Sequence, residues 1–325
     1  MSQSKPIFSV IIIAYDMARE VPRTVASFLP PYQERIEAGD VEIIVMENGS
    51  SRPIPVETVA KFPDSVRYVR VADPQPSPAR ALNEGVALAS GEWVCPVIDG
   101  ARLASPGVLR KARELAGACK EPVIATVGLH LGLEPQQISV RKGYNQEAED
   151  RMLAKANWMA NGYRLFDIAC FGGSAKDGWF GAIAESNALL MRKSHYERIG
   201  GYDERFDIPG GGILNLDFFK RATEHELSTY YLLMGEGTFH QHHGGVTTSK
   251  PVSEKSDSDQ TKTVWQTYAE QYFQIRGVSY EQPSVRPILY GDIDQRAVAP
   301  VRNICMRMGM RRFKEIHGKL PIQGD

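Results

Sequence analysis

Through residues 1–130, short apolar runs alternate with helix-like segments, the pattern of a parallel sheet covered on both faces. Phe8 to Ala14 is almost continuously apolar, as a strand buried on both sides requires. Pro22 opens a short helix, and Pro30-Pro31 stops it. Val41 to Met46 reads as a second strand ended by the turn residues Asn48-Gly49-Ser50, and Val66 to Val71 as a third. Ser77-Pro78 supplies a cap and a first-turn proline for a helix from Ala79 to a stop at Gly91. Glu92 to Ile98 is the next strand, closing on Asp99-Gly100. Ser105-Pro106 repeats the cap-plus-proline device, and Pro122 to Val127 is a further strand.

Beyond residue 130 the texture changes to aromatics, glycines and isolated polar residues. Phe171-Gly172-Gly173-Ser174 and Pro209-Gly210-Gly211-Gly212 read as mobile loops, and Lys250 to Lys262, rich in Ser, Asp and Lys, as a linker. The expected organisation is an α/β half over 1–130, a second half of the same domain over 131–249, and a linker with a helical tail over 250–325. In residues 301–325, Arg302, Arg307, Arg311, Arg312, Lys314 and Lys319 face only Glu315 and Asp325. A helix there carries Arg307, Arg311 and Lys314 on one side and Ile304, Met308 and Ile316 on another. Docking on its own domain and contact with a membrane surface are the two readings.

Composition narrows the classes. Of 325 residues, 42% are hydrophobic and 24% charged, as in globular proteins. Lys+Arg 38 against Asp+Glu 39 gives a net charge of -1, which argues against a nucleic-acid binder. No apolar run reaches the ~18 residues of a membrane-spanning helix. The run Ile7 to Ile13 leads into Tyr15-Asp16 rather than a cleavage site, so it reads as a strand and not a leader. Cys95, Cys119, Cys170 and Cys305 form no C-x-x-C pair, which fits a reducing cytoplasm.

In an open parallel sheet, ligands bind outside the carboxyl ends of the strands. Tyr15-Asp16, Glu47-Asn48 and Asp99 stand at three such ends, although each also suits a turn or helix cap. These segments occur in order with Ala79-Arg80-Ala-Leu-Asn83-Glu-Gly85, Ser90-Gly91-Glu92-Trp93, Leu190-Met-Arg192, Gly200-Gly201-Tyr202-Asp203-Glu204-Arg205-Phe206 and Asn215-Leu-Asp217 with Arg221. The set resembles family 2 glycosyltransferases of the GT-A fold over residues 6–245.

The resemblance implies a nucleotide-sugar donor and transfer of its sugar to a hydroxyl of a glycan, lipid-linked or small-molecule acceptor, with inversion. Surface-polysaccharide or glycolipid assembly is the setting it implies. Tyr15, Glu47 and Asn48 then correspond to residues that hold the base and ribose. Arg80, in the first turn of its helix, would meet ribose or pyrophosphate.

Two positions depart from the family. Its D-x-D triplet is Asp99-Gly100-Ala101 here, with one carboxylate lost and Arg102 following. A divalent ion, Mn²⁺ or Mg²⁺, would need Asp99 plus a late histidine: His240 and His242 are the main candidates, with His243 beside them. Arg102 as a fixed cation is the alternative. The family's Glu-Asp base segment falls on Leu214-Asn215, leaving Asp217 as candidate base, with pairing to Arg221 as its structural reading. Glu185 is the reserve, and Asp203 reads as a loop former. Trp179 and Phe180 would make an aromatic platform or belong to the core. The competing function is a GT-A domain that binds nucleotide or glycan without turnover.

Overall fold

The computed structural model describes residues 5–244 and 263–317; the segment read as a linker, apart from its neighbours, and Lys319 and Asp325 of the basic tail lie outside the described residues. In chain order the first elements are β1 (Phe8–Ala14), α1 (Val21–Phe28), β2 (Val41–Glu47), α2 (Val56–Val59), β3 (Val66–Arg70), α3 (Ala79–Leu88), β4 (Trp93–Val97), β5 (Arg102–Ala104), α4 (Val108–Ala118) and β6 (Pro122–Leu131). They continue with α5 (Gln136–Ser139), α6 (Gln146–Ala156), β7 (Ala169–Phe171), β8 (Met191–Arg192), α7 (Lys193–Ile199), α8 (Leu214–Glu224), β9 (Thr229–His240), α9 (Val264–Arg276), β10 (Ile288–Tyr290) and α10 (Gln295–His317).

The first sheet runs β3-β2-β1-β4-β8, parallel except for the short β8. All seven residues of β1 are buried, which is why its sequence carries no alternation. The second sheet runs β10-β9-β6-β7, with β5 antiparallel to β9 and β6 parallel to it. In that register Arg102 of β5 and His130 of β6 both stand opposite His240 of β9. The topology thus sets three nitrogen-bearing side chains in one row, immediately after the turn that ends β4.

That turn depends on Gly100. A Cβ there would lie 2.2 Å from the Ile13 carbonyl oxygen, so only glycine lets the chain double back against the end of β1. Asp99 is thereby held beside the exit of the central strand.

The helix expected from Ser105-Pro106 starts two residues later, at Val108, because Ser105 has other work. Its hydroxyl donates to Glu236 Oε2 at 2.5 Å, joined by the Gly107 N–H and the Tyr163 hydroxyl. Lys111 completes this buried knot, 3.0 Å from Glu236 Oε1, and donates to the carbonyls of Met234 and Asp292. Burial pushes the Glu236 carboxyl up, opposed by Lys111 and the hydrogen bonds. The pair ties α4 and β9 to the segment after β10.

The tail docks on its own domain. Ala297, Val301 and Ile304 of α10 are buried, and Arg307, expected on the outer basic side, donates to the carbonyls of Phe166 and Ala169. Ile316, expected on the apolar side, is exposed. The two glycine segments form β7 and short 3₁₀ turns. Among the described residues no helix is long and apolar enough to cross a membrane.

Removing one member of a buried ion pair leaves the other uncompensated, at a cost of about 3–5 kcal/mol. Lys111→Met should therefore lower the unfolding free energy by that order in urea titration. Lys111→Met combined with Glu236→Gln should recover part of the loss, which a sum of independent effects would not allow.

Candidate functional site

The exits of β1 and β2 lie side by side, since Ala14 pairs with Glu47 and the Asn48 N–H donates to the Ala14 carbonyl. Tyr15 presents its ring to solvent, 55% exposed. Asp16 adopts a left-handed φ of 52° and spends its carboxylate on the Ser51 hydroxyl and the Arg52 N–H. Glu47 is buried and occupied locally: it accepts from the Ser50 hydroxyl, the Ile54 N–H and the Tyr68 hydroxyl. The longer side chain reaches back into the turn instead of out to a ligand. Burial, and then Glu47, pushes the Tyr68 hydroxyl up to about 12. Asn48 donates to the Gln75 carbonyl at 2.9 Å, while its own Oδ1 is buried with no hydrogen-bond partner. Arg80 is held by two acids, 2.7 Å from Asp73 and 3.4 Å from Glu204.

Asp99 gathers the other calls. His240 Nε2 lies 3.0 Å from Asp99 Oδ2, His243 Nε2 lies 3.6 Å from Oδ1, and the two imidazole nitrogens are 3.1 Å apart. These three residues form a candidate metal-binding group. Arg102 Nε donates to the same Asp99 Oδ2 at 3.1 Å. Burial opposes charge on Asp99, but the two imidazoles and Arg102 outweigh it and hold the carboxyl well below its usual range. Burial and Arg102 press His240 down to about 4, more strongly than Asp99 raises it.

His242, named from the sequence as the partner of His240, is turned away. Its ring packs on Tyr144 at 5.9 Å, and its backbone N–H donates to buried Glu149. β9 ends at His240, so the two-residue period of a strand stops there, and the following turn brings His243 back instead. Gln136, which sequence reasoning did not single out, is fully buried against His240. It donates Nε2–H to the His240 carbonyl at 3.0 Å and lies 2.6 Å from Nδ1 through Oε1.

Asp217 is 1% exposed and lies between two guanidiniums. Arg221 donates to Oδ2 at 2.8 Å, and Arg276 donates to both oxygens at 2.7 and 2.8 Å. Arg276 also reaches Asp203 at 2.9 Å. This is the structural reading of Asp217, enlarged by a second arginine from α9. Glu185 is half-buried and accepts one hydrogen bond among the described residues, from Asn215 Nδ2 at 2.7 Å. It therefore adjoins the position where the family resemblance expects a carboxylate. Trp179 belongs to the core: its indole N–H donates to the Glu236 carbonyl and its ring meets Phe166 and Phe171. Phe180 is exposed.

Residues 9–122 match the model of glycosyl transferase family 2. Among solved structures, S. aureus TarS 1-349 in complex with UDP-GlcNAc matches with a TM-score of 0.50 at 11% identity, covering 96% of this chain and 74% of that one. S. aureus TarS matches with a TM-score of 0.48 at 11% identity, covering 73% of this chain and 37% of that one. The chain thus spans little more than a third of the longer TarS chain. No curated protein matches it. The fold expected from the sequence, a mostly parallel GT-A sheet with helices on both faces, is the fold observed.

The bidentate Arg205 contact, outweighing burial and helped by Arg276, holds the Asp203 carboxyl down at about 2. A depressed carboxylate stabilises above its ordinary value of about 3.8 and loses that contribution as pH falls towards 2. Thermal melts from pH 5 to 3 should therefore fall less steeply for Asp203→Asn than for the unaltered protein.

Proposed function

We propose that this glycosyltransferase, whose residues 9–122 match the family 2 model, moves a sugar from a nucleotide-sugar donor to an acceptor hydroxyl by a single inverting displacement. The observation that carries the reading is the convergence of Asp99, His240, His243 and Arg102 at the exit of the central strands. A parallel sheet binds ligands at that end, and the cluster offers what a departing diphosphate needs. Tyr15 supplies an exposed ring for the base, and Asn48 Oδ1 an acceptor without a partner beside it. A hydroxyl of a glycan, lipid-linked or small-molecule acceptor attacks the anomeric carbon, and the bond to the diphosphate oxygen breaks.

The donor set fits a divalent cation: one carboxylate oxygen and two imidazole nitrogens, all within 4.8 Å of one another. When bound there, such an ion would supply positive charge to the leaving diphosphate. Arg102 adds a permanent charge on the same side.

A general base needs an open lone pair, and that argues for Glu185 over Asp217. Both oxygens of Asp217 already accept from guanidiniums through three charge-assisted hydrogen bonds, which proton uptake would disrupt. Glu185 gives up less, and Asn215 orients it.

Glu185→Gln should lower turnover by ~10²–10⁴-fold while leaving the melting-temperature rise with UDP intact. Asp217→Asn should lower the melting temperature itself. UDP binding with no turnover on any nucleotide-sugar donor would support binding without catalysis instead. Unchanged turnover in Glu185→Gln would remove the base assignment.

A further inference from the structure

Docking of the tail uses one side of α10 and leaves the other uncovered. Ala297, Val301 and Ile304 are buried against the domain, whereas Val298, Met306, Met310 and Ile316 are exposed, Ile316 at 67%. At 3.6 residues per turn these four fall on one arc of the helix, spread over about 27 Å of its length. Arg302 and Lys314 stand on and beside that arc, both exposed and with no ion-pair partner among the described residues. Glu315 is the one acid between Gln295 and His317. Arg312, at the other edge of the arc, pairs with Asp177. That contact brings the turn Gly178–Phe180 to the same end of α10, where Phe180 is 74% exposed.

We propose that the outer face of α10, with Phe180 beside it, is a docking surface for an anionic lipid membrane, on which the helix lies in the plane of the headgroups. Apolar side chains flanked by Arg and Lys are what an interfacial helix presents. The cationic heads reach the lipid phosphates while their stems and the neighbouring methionines enter the acyl boundary. Lipid headgroups supply negative charge along the whole row without a fixed register. A second copy of the chain would instead set Arg302 and Lys314 against cations of its own, with only Glu315 to offset them. Charge also selects the orientation. Residues 301–325 hold six Lys/Arg against two acids in a chain of net charge -1, so the remainder has an excess of acids. An anionic surface attracts the tail and repels the rest. The helix lies on the surface and not across it, since no helix among the described residues is long and apolar enough to span. Arg307 fastens α10 to the carbonyl of Ala169 in β7, and β7 pairs with β6 at His130, so a membrane-bound α10 carries the candidate site with it.

Co-sedimentation of the full chain with vesicles of phosphatidylcholine, alone or mixed in equal parts with phosphatidylglycerol, tests this. The chain should pellet with the mixed vesicles, stay in solution with the neutral ones, and lose binding as salt shortens the screening length. Each cation near an anionic surface contributes about fivefold to partitioning, so Arg302→Gln with Lys314→Gln should weaken binding about 25-fold. Met306→Glu with Met310→Glu should weaken it by at least about tenfold, since apolar contact is lost and like charge gained. All four side chains are exposed, so melting temperatures should hold, and the glutamine pair keeps the test decisive if the glutamate pair folds poorly. Pelleting that survives both pairs of substitutions, equal pelleting with neutral vesicles, or none at all would overturn the proposal. A dimer in light scattering that the glutamate pair dissociates, without vesicle binding, would assign the face to a second copy instead. No donor is present in these measurements, so their failure leaves the transferase reading intact, and the melting-temperature rise with UDP should be the same in both variants.

Discussion

A single carboxylate at the exit of β4 has to be reconciled with its surroundings, and much of the second half of the chain is arranged to do so. Asp99 is largely withdrawn from water, where an unpaired carboxylate is costly. Its compensation comes from Arg102 of β5, three residues on, and from far along the chain: His240, the last residue of β9, and His243 just beyond it. The parallel pairing of β6 with β9 and the antiparallel pairing of β5 with β9 bring those groups to one level. Sheet register is therefore a condition of the chemistry. A one-residue slip of β9 would carry His240 to the opposite face.

Further buried or half-buried ion pairs fasten the elements around that point. Lys111 with Glu236, Arg19 with Glu149, and Asp217 with Arg221 and Arg276 each join elements distant in sequence. Glu149 also receives the His242 N–H, so α6 and the histidine turn are fastened through one carboxylate. Burial raises the Glu149 carboxyl, opposed by Tyr144, the His242 N–H and Arg19. These contacts set where the loops lie, and through them where the imidazoles stand.

How far this was legible beforehand follows from the range of the forces involved. β1 to β4 could be read to within a residue or two, because double-sided burial imposes continuous apolar runs and turns need Gly or Asn. The helix after Ser105 began late because Ser105 answers to Glu236, 131 residues away. Pairing of Asp217 with Arg221 at (i, i+4) was visible, whereas Arg276, 59 residues on, was not. His240 was identified and His242 preferred over His243, since the choice depends on where β9 stops. Gln136 left no trace in any local pattern. Its contact with His240 is made across 104 residues of chain.

Ala101, where the family resemblance expects a second carboxylate, clarifies what kind of change this is. Its side chain is fully buried in the apolar cluster with Val21, Val25 and Val97, its N–H donates to Asp99 Oδ1, and its carbonyl accepts from the Gln241 N–H. A carboxylate there would have to enter the core unpaired, so the position is closed to one for packing reasons. The charge that would have come from residue 101 is not simply missing. Donors from β9 and its following turn occupy the other side of Asp99, and they bring nitrogen where an acid would bring oxygen. An acidic pair would attract a dication before any nucleotide arrived. A carboxylate already paired with Arg102 attracts one less strongly.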